Sequence, residues 1–161
     1  MLAVTVADVA LLEALAQFRL LTIAQAERRG IARRWHVGER LNALERAGLV
    51  GVIRRGRMRG PNVYTLTRKG AAALEGWAAE TGEARRVPYP SRPYRDGPHL
   101  TQRLCIVDLH LALLAWADAV GGMVQWVRVE FDGNPVALQA PTAVNGAAGT
   151  YTPDMLAAVT T

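Results

Sequence analysis

This 161-residue chain holds one cysteine and one lysine, and both scarcities exclude something. Cys105 alone rules out an internal disulfide and a cysteine-based zinc site. It sits in an apolar run and is expected to be a small buried side chain. Lys69 is the only lysine, so the remaining positive charge is arginine, which suits phosphate and guanine edges. No secretory signal is legible, because the apolar start Met1-Leu2-Ala3-Val4 meets Asp8 and Glu13 too soon. No long apolar run is unbroken either. Leu104 to Val120 is interrupted by Asp108, His110 and Asp118, which argues against a transmembrane helix. His36, His99 and His110 lack a second histidine or a cysteine at ligand spacing, so neither a metal nor another cofactor is expected. The expectation is a cytoplasmic protein, associated with nucleoid or plasmid rather than membrane.

What is present is positive charge, unevenly placed. The net charge is +5 and the isoelectric point near 10.1, which favours a polyanionic partner. Residues 1–98 carry 17 Lys/Arg against 9 Asp/Glu, a balance of +8; residues 99–161 carry 2 against 5, a balance of −3. A basic partner surface therefore belongs to the first part of the chain.

That part is organised around Arg33 to Leu66. Val37, Leu41, Leu44 and Gly48 follow a four-three-four spacing, so one stripe of a helix from about Arg34 to Ala47 faces a core. Gly48 suits the left-handed residue that ends a helix. Leu49-Val50-Gly51-Val52-Ile53 is rich in β-branched residues and reads as a strand. The run from Arg54 to Asn62 is a basic turn, and Val63-Tyr64-Thr65-Leu66 a returning strand. Upstream, Thr5 or Asp8 caps a first helix that Phe18-Arg19-Leu20-Leu21 closes. Thr22 with Gln25 has capping-box spacing for a short second helix ended by Gly30. Downstream, Thr67 caps a fourth helix to about Glu80, with Ala71, Leu74, Trp77 and Ala78 turned inward.

Three short helices, then two strands around a basic tip, resemble the winged helix-turn-helix fold, through "LTIAQ", "RLNALERAGLV" and "YTLTRKGAAAL". The predicted DNA-contacting residues are Trp35, His36, Asn42 and Arg46 on the outer face of the third helix, with Glu39 beside them. Arg33, Arg34 and Arg40 flank that face, and Arg54, Arg55, Arg57 and Arg59 lie in the basic turn. Arginine and asparagine pair bidentately with guanine and adenine, and arginines on a wing reach phosphates or a minor groove.

Residues 1–80 are thus expected to form the DNA-binding domain, 81–98 a Pro/Arg-rich linker, and 99–161 a domain for dimerisation or partner docking. This last part reads as a long helix from about His99 to Gly121, followed by two or three strands. The helix carries two apolar seams: Leu100, Leu104, Val107, Leu111 and Leu114 form one, and Ile106, Leu109, Leu113, Trp116 and Val120 the other. The expected class is α+β: an N-terminal winged helix-turn-helix followed by a small α/β region. Glu130 and Pro153-Asp154 resemble the start of a nuclease pattern that holds a divalent metal with Pro-Asp and Asp/Glu-x-Lys. No Asp/Glu-x-Lys follows, and no enzyme activity is expected.

Taken whole, the order of motifs resembles the plasmid replication-relaxation family, through "RLCIVDLHLALLAWADAVGG", "VQWVRVEF" and "TPDML". The resemblance implies work on plasmid or mobile-element DNA in replication control, mobilisation or transcription. The partners expected are double-stranded DNA, a second copy of the chain, and a relaxase or replication protein. Two rival readings remain. One is a metal-dependent nuclease or nicking accessory. The other is a winged helix that docks on protein without its own DNA site.

Overall fold

The protein is described by a computed structural model covering residues 5–31, 34–56, 60–83, 85–90, 94–121, 123–129, 138–139, 150–151 and 155–160. It divides into two compact units, Met1–Val107 and Asp108–Thr161. The first contains α1 (Val6–Phe18), β1 (Leu20–Leu21), α2 (Ile23–Arg28), α3 (Arg34–Arg46), β2 (Val50–Ile53), β3 (Val63–Leu66) and α4 (Arg68–Glu80). Helix α5 (Pro98–Ala119) begins there and runs past the division. The second unit continues with β4 (Met123–Val129), β5 (Leu138–Gln139), β6 (Thr150–Tyr151) and β7 (Met155–Thr160). The class is α+β.

Local chemistry sets the helix ends. Thr5 caps α1 and Asp8 answers it, while Thr22 and Gln25 do the same for α2. Each pair satisfies two backbone N–H groups that a helix start leaves free. At the end of α3, Gly48 takes φ +75°. Leu49 N–H then donates to the Leu44 carbonyl at 2.9 Å, and Gly48 N–H to Glu45 at 2.8 Å. This is the paired closure that a left-handed glycine permits.

Strands β1, β3 and β2 form an antiparallel sheet in that order, with Leu20 opposite Thr65, Leu21 opposite Tyr64, and Val50 to Ile53 opposite Leu66 to Val63. Helix α1 ends at Phe18, within the segment expected to close it, but Leu20 and Leu21 go on to form a strand. Arg19 adopts φ +68° and turns the chain out of the helix, and the two leucines then pair with β3.

The core of the first unit joins Leu11, Leu12 and Leu15 of α1 to Leu20, Leu21, Val37, Leu41, Leu44, Val63 and Leu74, all essentially inaccessible. Burial of each such side chain is worth about 1.5–3 kcal/mol. On α4, Ala71, Leu74 and Ala78 are buried, but Trp77 is only half-buried. It lies about a quarter-turn from the centre of that stripe and covers the core's edge. Gly76 is exposed in the same helix, and a Cβ there would meet nothing within 4 Å. Gly76→Ala is therefore expected to stabilise the protein by about 0.5–1 kcal/mol, read as a higher urea midpoint at unchanged slope.

The segment after α4 has no regular structure among its described residues, yet it is anchored. Val87 is buried, and its N–H donates to Glu75 Oε1 at 2.8 Å. Helix α5 buries Leu100, Leu104, Val107 and Leu111 of its first seam, whereas Leu109, Trp116 and Val120 of the second are exposed. By length and composition alone α5 is apolar enough to cross a membrane. Cys105 is exposed, not buried as expected. Its apolar neighbours are consecutive in sequence, but it projects about 130° round the helix from the buried seam.

In the second unit β4 and β7 pair antiparallel, from Met123 opposite Thr160 to Val129 opposite Met155, with an irregularity between Val124 and Trp126. β5 pairs with β6. The stretch from Tyr151 to Val159 contributes to two strands: Tyr151 ends β6, and Met155 begins β7 on a different partner.

Candidate nucleic-acid interface

Helix α3 has two unlike faces. Val37, Leu41 and Leu44 are buried, and His36, Glu39, Asn42 and Arg46 are exposed. The exposed set recurs at three, three and four residues, so it forms one solvent-facing stripe along the helix. Arg46 Nε donates to the Asn42 carbonyl at 3.3 Å, which lays its side chain along that stripe. Arg34 and Trp35 belong to the first turn of α3. Arg33, Arg57 and Arg59 lie outside the described residues.

The remaining arginines divide by partner. Arg54, just past β2, pairs with Glu45 of α3 at 2.6 Å but keeps 69% of its side chain exposed, so its guanidinium faces solvent at the C-terminal end of α3. Arg55 is different. Its side chain is only 10% exposed, bonded to Asp96 at 2.9 Å and to Thr101 Oγ1 at 3.1 Å. It ties the end of β2 to the start of α5. Arg40 turns the other way round α3, towards α1. Its Nε donates to Asp8 Oδ1 at 2.7 Å, and its Nη2 to Asp8 Oδ2. The structure thus gathers His36, Asn42, Arg46 and Arg54 outward around α3, and commits Arg40 and Arg55 to internal ion pairs.

How α3 is held involves contacts that the sequence did not disclose beyond the Thr67 cap of α4. Thr67 Oγ1 accepts the Gly70 N–H at 3.0 Å, capping α4, and lies 2.8 Å from the Gly48 carbonyl and 2.9 Å from that of Leu49. Lys69 Nζ donates to the Ala47 carbonyl at 2.8 Å. An ammonium at a helix C-terminus complements the dipole there. Gly70 is buried against the Leu49 carbonyl. The Thr-x-Lys-Gly spacing was the available signal: one turn of α4 fastens the last turn of α3 and so fixes the angle at which the outer stripe is presented.

Glu130, Pro153 and Asp154 lie outside the described residues, and among the described residues no three His, Cys, Asp or Glu side chains gather where a metal would sit.

These features define an α+β protein whose first unit packs short helices with a three-stranded antiparallel sheet and turns one polar helix face to solvent. The family model described as replication-relaxation matches residues 12–161, and the chain belongs to that family. Its membership points to a role in the replication or mobilisation of plasmids or mobile elements. No curated protein and no solved structure matches the chain.

Proposed function

We propose that the first unit is a winged helix-turn-helix that binds double-stranded DNA in plasmid or mobile-element replication, mobilisation or transcription control. Helix α3 enters the major groove, and the connection between β2 and β3 is the wing. The observation that carries this reading is the outer stripe of α3, with His36, Asn42 and Arg46 exposed above a buried Val37-Leu41-Leu44 face. The positive balance of residues 1–98 supplies the attraction for phosphate. The protein acts by binding rather than cutting, and as a homodimer it would offer two α3 helices to a two-fold site. A relaxase or replication protein is the second partner this role calls for.

The test is a titration of labelled duplex at several salt concentrations, with a magnesium incubation beside it to detect cleavage. Arg57→Ala with Arg59→Ala should weaken binding on every sequence alike and flatten the log–log salt slope by about 1.8, two phosphate contacts' worth. Asn42→Ala or His36→Ala should instead change which duplex is preferred, by about 1–3 kcal/mol at one base position. Equal loss on all duplexes for the α3 variants would remove base readout from the proposal. Absence of any duplex affinity at low salt would remove DNA binding itself.

A further inference from the structure

The connection between β2 and β3 is gripped at its neck by the start of α5. Residues 54–62 lie between the paired positions Ile53 and Val63, outside the ladder. Arg54 turns its side chain to solvent, but the Arg55 side chain is only 10% exposed. Each nitrogen of the Arg55 guanidinium has a neighbour. Nε donates to Asp96 Oδ1 at 2.9 Å, and Nη2 to Thr101 Oγ1 at 3.1 Å. Nη1 lies against the far side of the same connection, 3.4 Å from where a Cβ on Gly60 would stand. One guanidinium thus spans the neck between Arg55 and Gly60 and joins it to the first turn of α5. That turn is fixed in its own right. Leu100 and Leu104 are buried, and Gln25 Nε2 of α2 donates to the Leu104 carbonyl at 3.2 Å. The Arg103 guanidinium stacks 4.9 Å from the centre of the Tyr94 ring, which folds the chain before Asp96 onto the same helix. All of these residues belong to the first unit.

We propose that Asp96 is a positioning residue for DNA binding. Acting through Arg55, it fixes the β2–β3 connection relative to α2 and α3, so the DNA-binding module runs on into α5 instead of ending with α4. The proposal rests on the reading of that connection as a wing. A connection tied only at its two strand ends samples many arrangements, and ordering it on the duplex costs affinity. The clasp does that ordering before DNA arrives. Its bond is charge-assisted and largely shielded from solvent, so salt screens it less than an exposed pair. The route also matters. Through the Gln25 bond to Leu104, α5 is fastened to α2, the helix that precedes α3, so wing and groove helix share one frame. Arg55 therefore serves DNA binding from inside the protein, not as a phosphate contact. The sign of the Asp96 effect separates this reading from plain electrostatics. A carboxylate near a DNA surface repels phosphate, so its charge alone weakens binding. A positioning carboxylate strengthens it.

The test titrates labelled duplex with the full chain carrying Asp96→Ala, Arg55→Ala, both, or Thr101→Val, at a temperature where circular dichroism shows each folded. Asp96→Ala should lower duplex affinity by about tenfold although it removes a negative charge, and should flatten the log–log salt slope by about 0.9 or more, at least one phosphate contact's worth. The double variant should bind no more weakly than Arg55→Ala alone, because the two residues act through one contact. Thr101→Val is the milder change and should weaken binding about two- to threefold. A second arm needs no DNA: tryptic cleavage after Arg57 or Arg59 should run about threefold faster or more in Asp96→Ala than in the wild type. Asp96→Ala that binds duplex as tightly as the wild type, or more tightly, overturns the proposal and makes Arg55 a phosphate contact that Asp96 withholds. Unchanged cleavage of the connection overturns it as well. A wild-type chain without duplex affinity removes the DNA-binding reading and with it the part of Asp96 in binding, and the cleavage arm alone then decides whether the clasp holds the connection.

Discussion

Replacing Gly70 by alanine is expected to destabilise the protein by about 3 kcal/mol or more, and to lower its melting temperature by about 10 °C. A Cβ on Gly70 would stand 2.1 Å from the Leu49 carbonyl oxygen and 2.9 Å from Leu66 Cδ1. The first distance is far inside any contact that real atoms tolerate, and the obstructing atom is backbone. Leu49 cannot step aside cheaply. Its N–H closes the end of α3 on Leu44, and its carbonyl accepts the Thr67 N–H at 3.2 Å. Relief therefore means prising α4 from the junction of α3 and β2, with loss of the Thr67 and Lys69 bonds to the carbonyls of residues 47 to 49. Against a total stability of about 5–15 kcal/mol, that is a large fraction. Gly76→Ala, the same substitution six residues on, is expected to stabilise. Chemical denaturation of the two variants side by side separates obstruction from helix propensity, which favours alanine in both. If Gly70→Ala melted at or above the wild type, the close packing of α4 on Leu49 would be wrong. A milder version of the defect should show in function, because the junction sets the tilt of α3. At a temperature where Gly70→Ala is still folded, duplex affinity should fall although no proposed contact residue has changed.

Local signals were the legible ones. Thr22 and Gln25, Thr67, and the left-handed Gly48 each announce themselves within four residues, because a cap is a short-range hydrogen-bonding arrangement. The stripe Val37-Leu41-Leu44 was equally plain, since a helix of 13 residues gives its period room to repeat. Strand β1 was not legible. Two leucines have no period, and what makes them a strand is Tyr64 and Thr65, more than forty residues away. The exposure of Cys105 was hidden for a related reason: composition reports a run's apolarity, whereas exposure depends on the angle at which one residue leaves the helix. The candidate site divides the same way. That Asn42 and Arg46 share an outward face follows from spacing alone. That Arg40 and Arg55 are bound to carboxylates 32 and 41 residues distant depends on how the chain closes, and arginines look alike in sequence whichever they do.

The Arg40–Asp8 pair gives the other large expected effect, and it depends on pH. Asp8 is fully buried. Burial alone would raise its carboxyl pKa. Hydrogen bonds from Arg40 and from the Thr5 backbone and hydroxyl, with the Arg40 charge, together outweigh burial and hold the pKa below the ordinary carboxylate value. The Arg40 guanidinium is correspondingly raised, chiefly by its bond to Asp8. A carboxylate depressed in the folded state binds its proton more readily when unfolded, so it stabilises the fold above the unfolded value of about 3.9. That contribution is lost as pH falls through the lower folded value. Asp8→Asn removes the charge and most of the pairing while keeping the shape, and should cost about 2–4 kcal/mol at pH 7. The gap in urea midpoints should then narrow as pH falls below about 4, because the unfolded wild-type carboxyl takes up its proton while the folded one resists, and it closes only as pH passes the lower folded value. Arg40→Met should behave in the same direction for a different reason. It leaves Asp8 buried with only Thr5 to answer it, so burial governs, the carboxyl pKa rises, and mild acid partly relieves the variant. A gap between wild type and Asp8→Asn that stayed constant across this range would show that the pair is not ionised in the fold. If instead Arg40→Met left stability untouched and weakened duplex binding, Arg40 would belong with Arg46 and Arg54 on the outer face of α3, and the joint between α1 and α3 would have to be carried by the leucines alone.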